Sequence, residues 1–322
     1  MRRRQFIVAG PALLAAPALA QPAWPEQPVR LVVPFAPGGP SDITARLFAD
    51  ELTKLLPQRV VVENRSGAGV VVGTELVAKA PKDGLTLLYT TVAHAVLRPL
   101  FPQLAFDAIA DFHPVALLGL VPMVLLVNKD LPVQDLAGFV RLLREHPGRY
   151  NYGSGGNGSA VHLASELFLA RAGGLQAQHI PYRGGAPAYA DLLSGRLAMY
   201  MDVASSGLKP ALDGQARGLG ISAAERVPQA PGLPTFAQGG VTGAECATWH
   251  MVLAPAGTPA EKVQAANAAL MRVTALPEVQ RRLGDQAMQL RTDSTPASSA
   301  TFLSAEEAKW AGVIRQAGIR VD

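Results

Sequence analysis

Cysteine is almost missing from this sequence. Cys246 is the only cysteine among 322 residues, so the chain cannot form an internal disulfide and offers no cluster of thiolates for a metal ion. A reactive thiol is one interpretation of a lone cysteine, but this residue type more often serves as a small buried hydrophobe. We therefore interpret Cys246 as structural.

Charged residues are also scarce. They make up 17% of the sequence, against 49% for hydrophobic residues, which is typical of a globular chain and not of a disordered one. The formal net charge is +4. Arg2, Arg3 and Arg4 account for three of these charges, so the rest of the chain is nearly neutral. No predicted helix carries a stripe of lysine and arginine, and the composition therefore argues against a nucleic-acid partner.

Long apolar runs are absent after residue 20, so we expect no membrane-embedded segment there. The first twenty residues resemble an export signal, with a basic start at Arg2–Arg4, an apolar stretch at Phe6–Leu14 and the cleavage pattern Ala18-Leu19-Ala20. A twin-arginine signal and an ordinary secretion signal both fit this pattern. We predict cleavage after Ala20 and a soluble periplasmic product, without the cysteine that a lipid anchor would need.

Catalytic signatures are missing as well. The sequence has no G-x-S-x-G elbow, no H-E-x-x-H pair and no Cys/His cluster with metal spacing. Six histidines are scattered singly along the chain, at positions 94, 113, 146, 162, 179 and 250. We therefore predict no metal site and no enzymatic activity. A catalytic triad assembled from distant residues is the alternative that sequence leaves open.

Strands and helices alternate along the chain, which predicts an α/β fold with a mostly parallel sheet covered on both faces. The alternation starts at Val29 and restarts near Tyr150. We predict two lobes, one made of residues 21–123 and 222–322 and the other of residues 124–221. Strands at Met123–Val127 and Arg217–Ser222 would cross between the lobes, with a ligand held in the cleft. One large open sheet is the alternative.

Two glycine-rich loops, each between a strand and a helix, are the best candidates for a binding site. Such loops direct backbone N–H groups and the positive end of a helix dipole to one point, which suits a carboxylate or phosphate. The candidate residues are Phe35, Ala36, Pro37, Gly38, Gly39, Ser41 and Asp42 in the first loop, and Ser154, Gly155, Gly156, Asn157, Gly158 and Ser159 in the second.

The second loop also matches the dinucleotide-binding pattern G-x-G-x-x-G at residues 153–158. That pattern requires an acidic residue about 20 positions later, at the end of the next strand. Residues 176–185 contain no aspartate or glutamate. We therefore predict no dinucleotide, and no other cofactor.

Four polar side chains are further candidates for the cleft. Asp42 lies in the first turn of a helix, where capping that helix is as good an interpretation as contacting an ammonium or hydroxyl group of a ligand. His162 lies just inside the helix after the second loop, and it has a structural alternative too. Asp202 lies at the end of a predicted strand and His94 follows another, at the edge where open α/β sheets bind their ligands.

At these motifs the chain resembles the Bug family of extracytoplasmic solute receptors, from about Trp24 to Asp322. The resemblance rests on several stretches in the same order, at residues 32–42 (VVPFAPGGPSD), 61–69 (VVENRSGAG), 150–167, 180–188 (IPYRGGAPA) and 253–259 (LAPAGTP). It implies a two-lobed periplasmic-binding-protein (Venus flytrap, type II-like) fold with a ligand cleft between the lobes and no enzymatic activity. The family's usual Asn-Pro after the third strand is replaced here by Leu97-Arg98.

The resemblance also implies a function. Ligands of the family are small carboxylates, namely di- and tricarboxylates, acidic amino acids and aromatic acids, gripped by the loops at Phe35–Asp42 and Ser154–Ser159, with His162 and Asp202 at or beside the pocket. We expect a monomeric receptor that delivers its ligand to the membrane subunits of a tripartite tricarboxylate transporter. A ligand sensor for a membrane sensor kinase and an exported hydrolase are the alternatives.

Overall fold

The computed structural model describes residues 24–321. The predicted signal peptide and its cleavage site after Ala20 lie outside the described residues. Within them, the strands are β1 Val29–Val33, β2 Val60–Asn64, β3 Thr86–Thr91, β4 Phe112–Val127, β5 Asn151–Ser154, β6 Gln178–Pro181, β7 Met199–Val203, β8 Arg217–Ile221, β9 Ala247–Pro255 and β10 Gln289–Leu290. The helices are α1 Pro40–Leu55, α2 Val71–Ala78, α3 Leu97–Leu100, α4 Leu136–Glu145, α5 Ala160–Arg171, α6 Gly185–Leu193, α7 Ala204–Leu212, α8 Ala260–Thr274, α9 Pro277–Gly284 and α10 Pro296–Ala317.

The fold is α/β and two-lobed, and both lobes share the long strand β4. In the first lobe β2, β1 and β3 lie parallel, and β9 joins β3 to the first part of β4. In the second lobe β6, β5 and β7 lie parallel, and the last part of β4 pairs with β7 and β8. A strand of 16 residues extends for roughly 50 Å, long enough to serve both lobes.

The strands at the centre of the molecule are antiparallel, contrary to the mostly parallel sheet expected from the alternation. β4 runs antiparallel to β9, β7 and β8 because the chain crosses between the lobes and returns. Residues 123–127, predicted as a strand of their own, are the last part of the 16-residue strand β4. Its partner changes from β9 at Pro122 to β7 at Met123.

The return towards the first lobe runs through residues 223–246, which contact both lobes. The ring of Phe236 lies 5.3 Å from that of Phe168 in α5, whereas the Gln229 side chain donates a hydrogen bond of 2.6 Å to the carbonyl of Gly284, the last residue of α9. The lobe boundary at residues 221 and 222 therefore stays a prediction.

Apolar cores lie on both faces of the sheet. One of them is fixed by Glu306 of α10, whose Oε2 accepts hydrogen bonds of 2.9 Å from the indoles of both Trp249 and Trp310. Cys246 is buried in this region, and burial raises the pKa of its thiol to about 11. A thiol with so high a pKa is a poor nucleophile. No helix of residues 24–321 combines the length and apolar character needed to cross a membrane.

Candidate ligand-binding site

A cavity of about 640 Å³ opens where the carboxyl ends of β1, β2, β3 and β5 meet. Both lobes contribute to its wall, and none of the lining residues carries a charged side chain. They are Pro34, Phe35, Ala36, Ser66, Gly67, Ala68, Gly69, Val70, Ala93, Val96, Leu100, Phe101, Asn157, Gly158, Ser159 and Val321.

The side chain of Asp42 holds the first predicted loop in its conformation. This carboxylate is 2% exposed and accepts hydrogen bonds from the Gly38 amide (2.8 Å), Asn64 Nδ2 (2.8 Å) and Arg46 Nε (3.0 Å). Burial alone would raise the pKa of Asp42, but the hydrogen bonds from Arg46, Gly38 and Asn64 outweigh it and hold the pKa below its usual value. Asp42 thus folds the loop and does not face the cavity.

Only part of this loop reaches the cavity. Phe35 and Ala36 line it, whereas Pro37, Gly38 and Gly39 are not among its lining residues. Ser41 lines a second cavity of about 440 Å³, together with Ser206 of α7 and His250 of β9.

The second predicted loop is held by a similar set of hydrogen bonds. Ser159 caps α5 by accepting a hydrogen bond from the His162 amide (3.3 Å), and the Gly158 amide donates to His162 Nδ1 (3.1 Å). Ser154 Oγ accepts a hydrogen bond from the Gly156 amide (3.1 Å). The last three residues of this loop, 157–159, line the cavity, and residues 154–156 form the turn that precedes them.

Beneath the second loop, three rings form a cluster. His179 stacks on His162 at a centroid distance of 3.8 Å and on Tyr152 at 5.0 Å, and the Tyr152 and His162 centroids are 6.2 Å apart. Burial, followed by repulsion from His179, lowers the pKa of His162 to about 4, and burial lowers the pKa of His179. The Tyr152 hydroxyl donates to the Glu166 carboxylate, whose pKa is raised by burial. His162 therefore supports the loop as a neutral ring, and its Nδ1 is the acceptor.

His94 does not line the cavity, although its position after β3 predicted that it would. Its side chain is fully buried, with Nε2 2.6 Å from the Ala108 carbonyl oxygen and its ring edge-on to Phe112. Burial lowers the pKa of His94 to about 4. The position after the strand was correct, but the side chain points into the core.

Asp202 likewise does not line the cavity. Its Oδ1 accepts hydrogen bonds from the Val203 amide (2.8 Å) and from Ser206 Oγ (3.0 Å). Burial raises the pKa of Asp202, and the bonds from Ser206 and Val203 partly offset that effect. These contacts fix the start of α7.

The loop after β2, at residues 66–70, was missed as a site element. Its backbone is left-handed at Ala68 (φ 44°), Gly69 (φ 60°) and Val70 (φ 76°), a conformation that is uncommon for alanine and a genuine outlier for valine. Such strain clusters at binding sites, and successive left-handed residues turn backbone N–H groups towards one side. The Gly67-Ala68-Gly69 sequence after a strand was the available signal, because β2 ends at the same sheet edge as β1.

A serine–histidine contact lies beneath the second loop. Ser154 Oγ lies 2.7 Å from His179 Nε2, but Ser154 is completely buried and also bonds the Gly156 amide. A nucleophile needs access to its substrate, which this hydroxyl lacks. Within residues 24–321, no three His, Cys, Asp or Glu side chains converge as ligands for a metal ion would.

Comparisons with known proteins agree with this geometry. Residues 44–319 match the family model described as "Tripartite tricarboxylate transporter family receptor". The chain is 34% identical to Protein BugT of Bordetella pertussis over 310 residues, covering 96% of this chain and 94% of the relative.

Two solved structures from Rhodopseudomonas palustris are also similar. One, solved with adipate, is 34% identical with a TM-score of 0.78, and the match covers 92% of this chain and 100% of that one. The other, MatC with bound malate, is 32% identical with a TM-score of 0.75, and the match covers 90% of this chain and 100% of that one.

Proposed function

Because this chain belongs to the family of tripartite tricarboxylate transporter receptors, we propose that it binds a small organic carboxylate in the periplasm and presents it to the membrane subunits of such a transporter. The cavity between the lobes is the observation that carries the proposal. Its wall combines three loops, at residues 34–36, 66–70 and 157–159, with apolar side chains. A carboxylate that accepts hydrogen bonds from backbone N–H groups gains charge-assisted bonds of roughly 1.5–3 kcal/mol each.

Two relatives support the choice of ligand class. The similar structures with adipate and malate each hold a small carboxylate. In this chain the amides of Gly67, Ala68 and Asn157 have no hydrogen-bond partner within the described residues. We assign them to the ligand carboxylate, either directly or through ordered water.

A thermal-shift screen of residues 21–322 tests the binding function. A ligand at 100 times its dissociation constant should stabilise the fold by about 2.7 kcal/mol, which raises the melting temperature by a few degrees for a chain of this size. Each hit is then incubated with the protein and analysed for products. Stabilisation without turnover supports a receptor, whereas conversion of the hit supports the hydrolase alternative.

The partner requires a separate experiment. We expect that deleting the gene abolishes cellular uptake of the radiolabelled hit, and that a plasmid copy restores it. Unchanged uptake combined with lost transcription of ligand-induced genes would instead favour presentation to a membrane sensor kinase.

A further inference from the structure

We propose that the ligand is a monocarboxylate with an apolar body about the size of a six-membered ring, in preference to a di- or tricarboxylate. This inference rests on the proposed function and concerns the same cavity. It follows from what lines the wall, from the charges around it and from its size.

Apolar side chains close the part of the cavity that belongs to the first lobe. Val96 and Leu100 are 5% and 8% exposed, and Phe101 and Val321 lie beside them in the wall. Leu100 and Val321 also pack against Gly158 of the second lobe. A second ligand carboxylate placed against this surface would lose its water without gaining a hydrogen-bond donor, which is costly.

Three arginines close to the lining loops in sequence are paired with carboxylates. Arg46 donates to Asp42, and Arg98 lies 3.2 Å from Glu307 and 3.8 Å from Asp107. Arg65, next to the loop after β2, pairs with Glu63 at 2.5 Å. Arg183 on the second lobe and Arg320, which precedes Val321, are exposed, and neither is among the lining residues. A second negative charge would therefore enter a cavity that presents no cation to it.

The size and lining of the cavity suit a ring. At about 640 Å³, the cavity falls in the middle of the usual range of roughly 300–1,000 Å³ for small-molecule sites. Phe35 and Phe101 both line it, and aromatic side chains favour edge-to-face or offset contacts with another ring. A ligand whose carboxylate accepts hydrogen bonds from the loop amides, and whose ring packs against these side chains, would match both the polar and the apolar part of the wall.

Two matched pairs of ligands test the proposal by isothermal titration calorimetry at pH 7.5. Hexanoate and adipate share a six-carbon chain, and benzoate and terephthalate share a ring, so each pair differs only in the second carboxylate. We expect the monocarboxylate of each pair to bind at least tenfold more tightly, and benzoate to bind more tightly than hexanoate. Tighter binding of both dicarboxylates would overturn the inference and leave the receptor function standing. Absence of binding by all four would also overturn the inference, and the thermal-shift screen would then decide the receptor function separately.

A charge introduced into the wall gives an independent test. Val321→Lys places an ammonium group at the apolar end, at a half-buried position in the C-terminal segment. The adipate-to-hexanoate affinity ratio should rise at least tenfold. Gln316→Lys, which adds the same charge at an exposed position of α10, is the matched control and should leave the ratio unchanged. An unchanged ratio in Val321→Lys would show that the ligand body does not reach this wall, and would contradict the inference.

Discussion

Acidification should loosen the second binding loop through one side chain, His162. The neutral imidazole accepts the Gly158 amide at Nδ1, and a proton on that nitrogen would remove the acceptor. The titratable groups that face this ring are His179 of β6, Tyr152 of β5 and Glu166 of α5 itself. With His179 stacked on one side, a positive charge on His162 has no close anion to stabilise it except the Glu166 carboxylate beyond Tyr152.

The expected magnitude follows from the pKa of His162, which is lowered from 6.5 to about 4. Between these values the unfolded chain binds a proton that the folded protein does not, so the free energy of unfolding decreases as the pH falls. The full contribution of His162 is present above pH 6.5 and is lost as the pH falls towards 4. At about 1.4 kcal/mol per pKa unit, it amounts to roughly 3 kcal/mol, of which about 2 kcal/mol is lost by pH 5.

Two variants separate this contribution from others. His162→Asn offers a side-chain oxygen near the place of Nδ1 but does not titrate, and His162→Phe keeps a ring in the cluster but offers no acceptor. Urea unfolding at pH 7 and pH 5 should show the wild type losing about 2 kcal/mol more than His162→Asn over this interval. His94 and His250, whose pKa values are also lowered to about 4, titrate in both proteins and cancel in the difference.

Ligand affinity at pH 7 provides the second measurement. His162→Phe should weaken binding of the carboxylate that the wild type binds most tightly. The Gly158 amide loses its hydrogen-bond acceptor in this variant, and the loop is no longer held in position. His162→Asn should retain most of the affinity. An equal loss of stability from pH 7 to pH 5 in the wild type and in His162→Asn would refute the reasoning, whatever the affinities.

Two further substitutions test the surroundings of the cavity. Gly158→Ala should destabilise the fold by about 1–2 kcal/mol in chemical unfolding, because Gly158 has φ +71° and an added Cβ would lie 2.8 Å from Leu100 Cδ1. Adding Leu100→Ala removes that contact but not the backbone strain, so the second substitution should not restore the lost stability. A Gly158→Ala protein as stable as the wild type would contradict this prediction. Asp202→Ala should lower the free energy of unfolding by about 1 kcal/mol, because the hydrogen bonds from Val203 and Ser206 are lost, and it should leave carboxylate affinity unchanged. A selective loss of affinity for ligands that bear an amine or hydroxyl group would instead place Asp202 at the site.

Much of the fold was predictable because its local signals agree. The predicted alternation starts at Val29, where β1 begins, and restarts near Tyr150, next to the start of β5 at Asn151. The continuity of β4 was not predictable, because Pro122 interrupts the apolar run and lacks a backbone donor. The structure places Pro122 where the strand exchanges β9 for β7, so the proline occupies the point at which the ladder changes partner.

The site was predictable at the level of loops and less so at the level of side chains. A glycine loop between a strand and a helix identifies the sheet edge, and residues 35–36 and 157–159 of the two predicted loops line the cavity. Position along a strand does not determine which way the next side chain points, and His94 accordingly lies in the core. The left-handed Val70 has no sequence signal, because valine disfavours that conformation.

Both binding loops share one construction that no single motif revealed. In each, the third residue of the helix bonds back to the amide of a glycine just before the cap, Asp42 to Gly38 in the first loop and His162 to Gly158 in the second. The acceptors differ in how they titrate. The pKa of Asp42 is held below its usual value, so this carboxylate remains ionised at pH 5 and the first loop keeps its shape, whereas the second depends on a neutral imidazole. The two binding loops should therefore respond unequally to acid, and the second loop should lose its contacts with the ligand at a higher pH than the first.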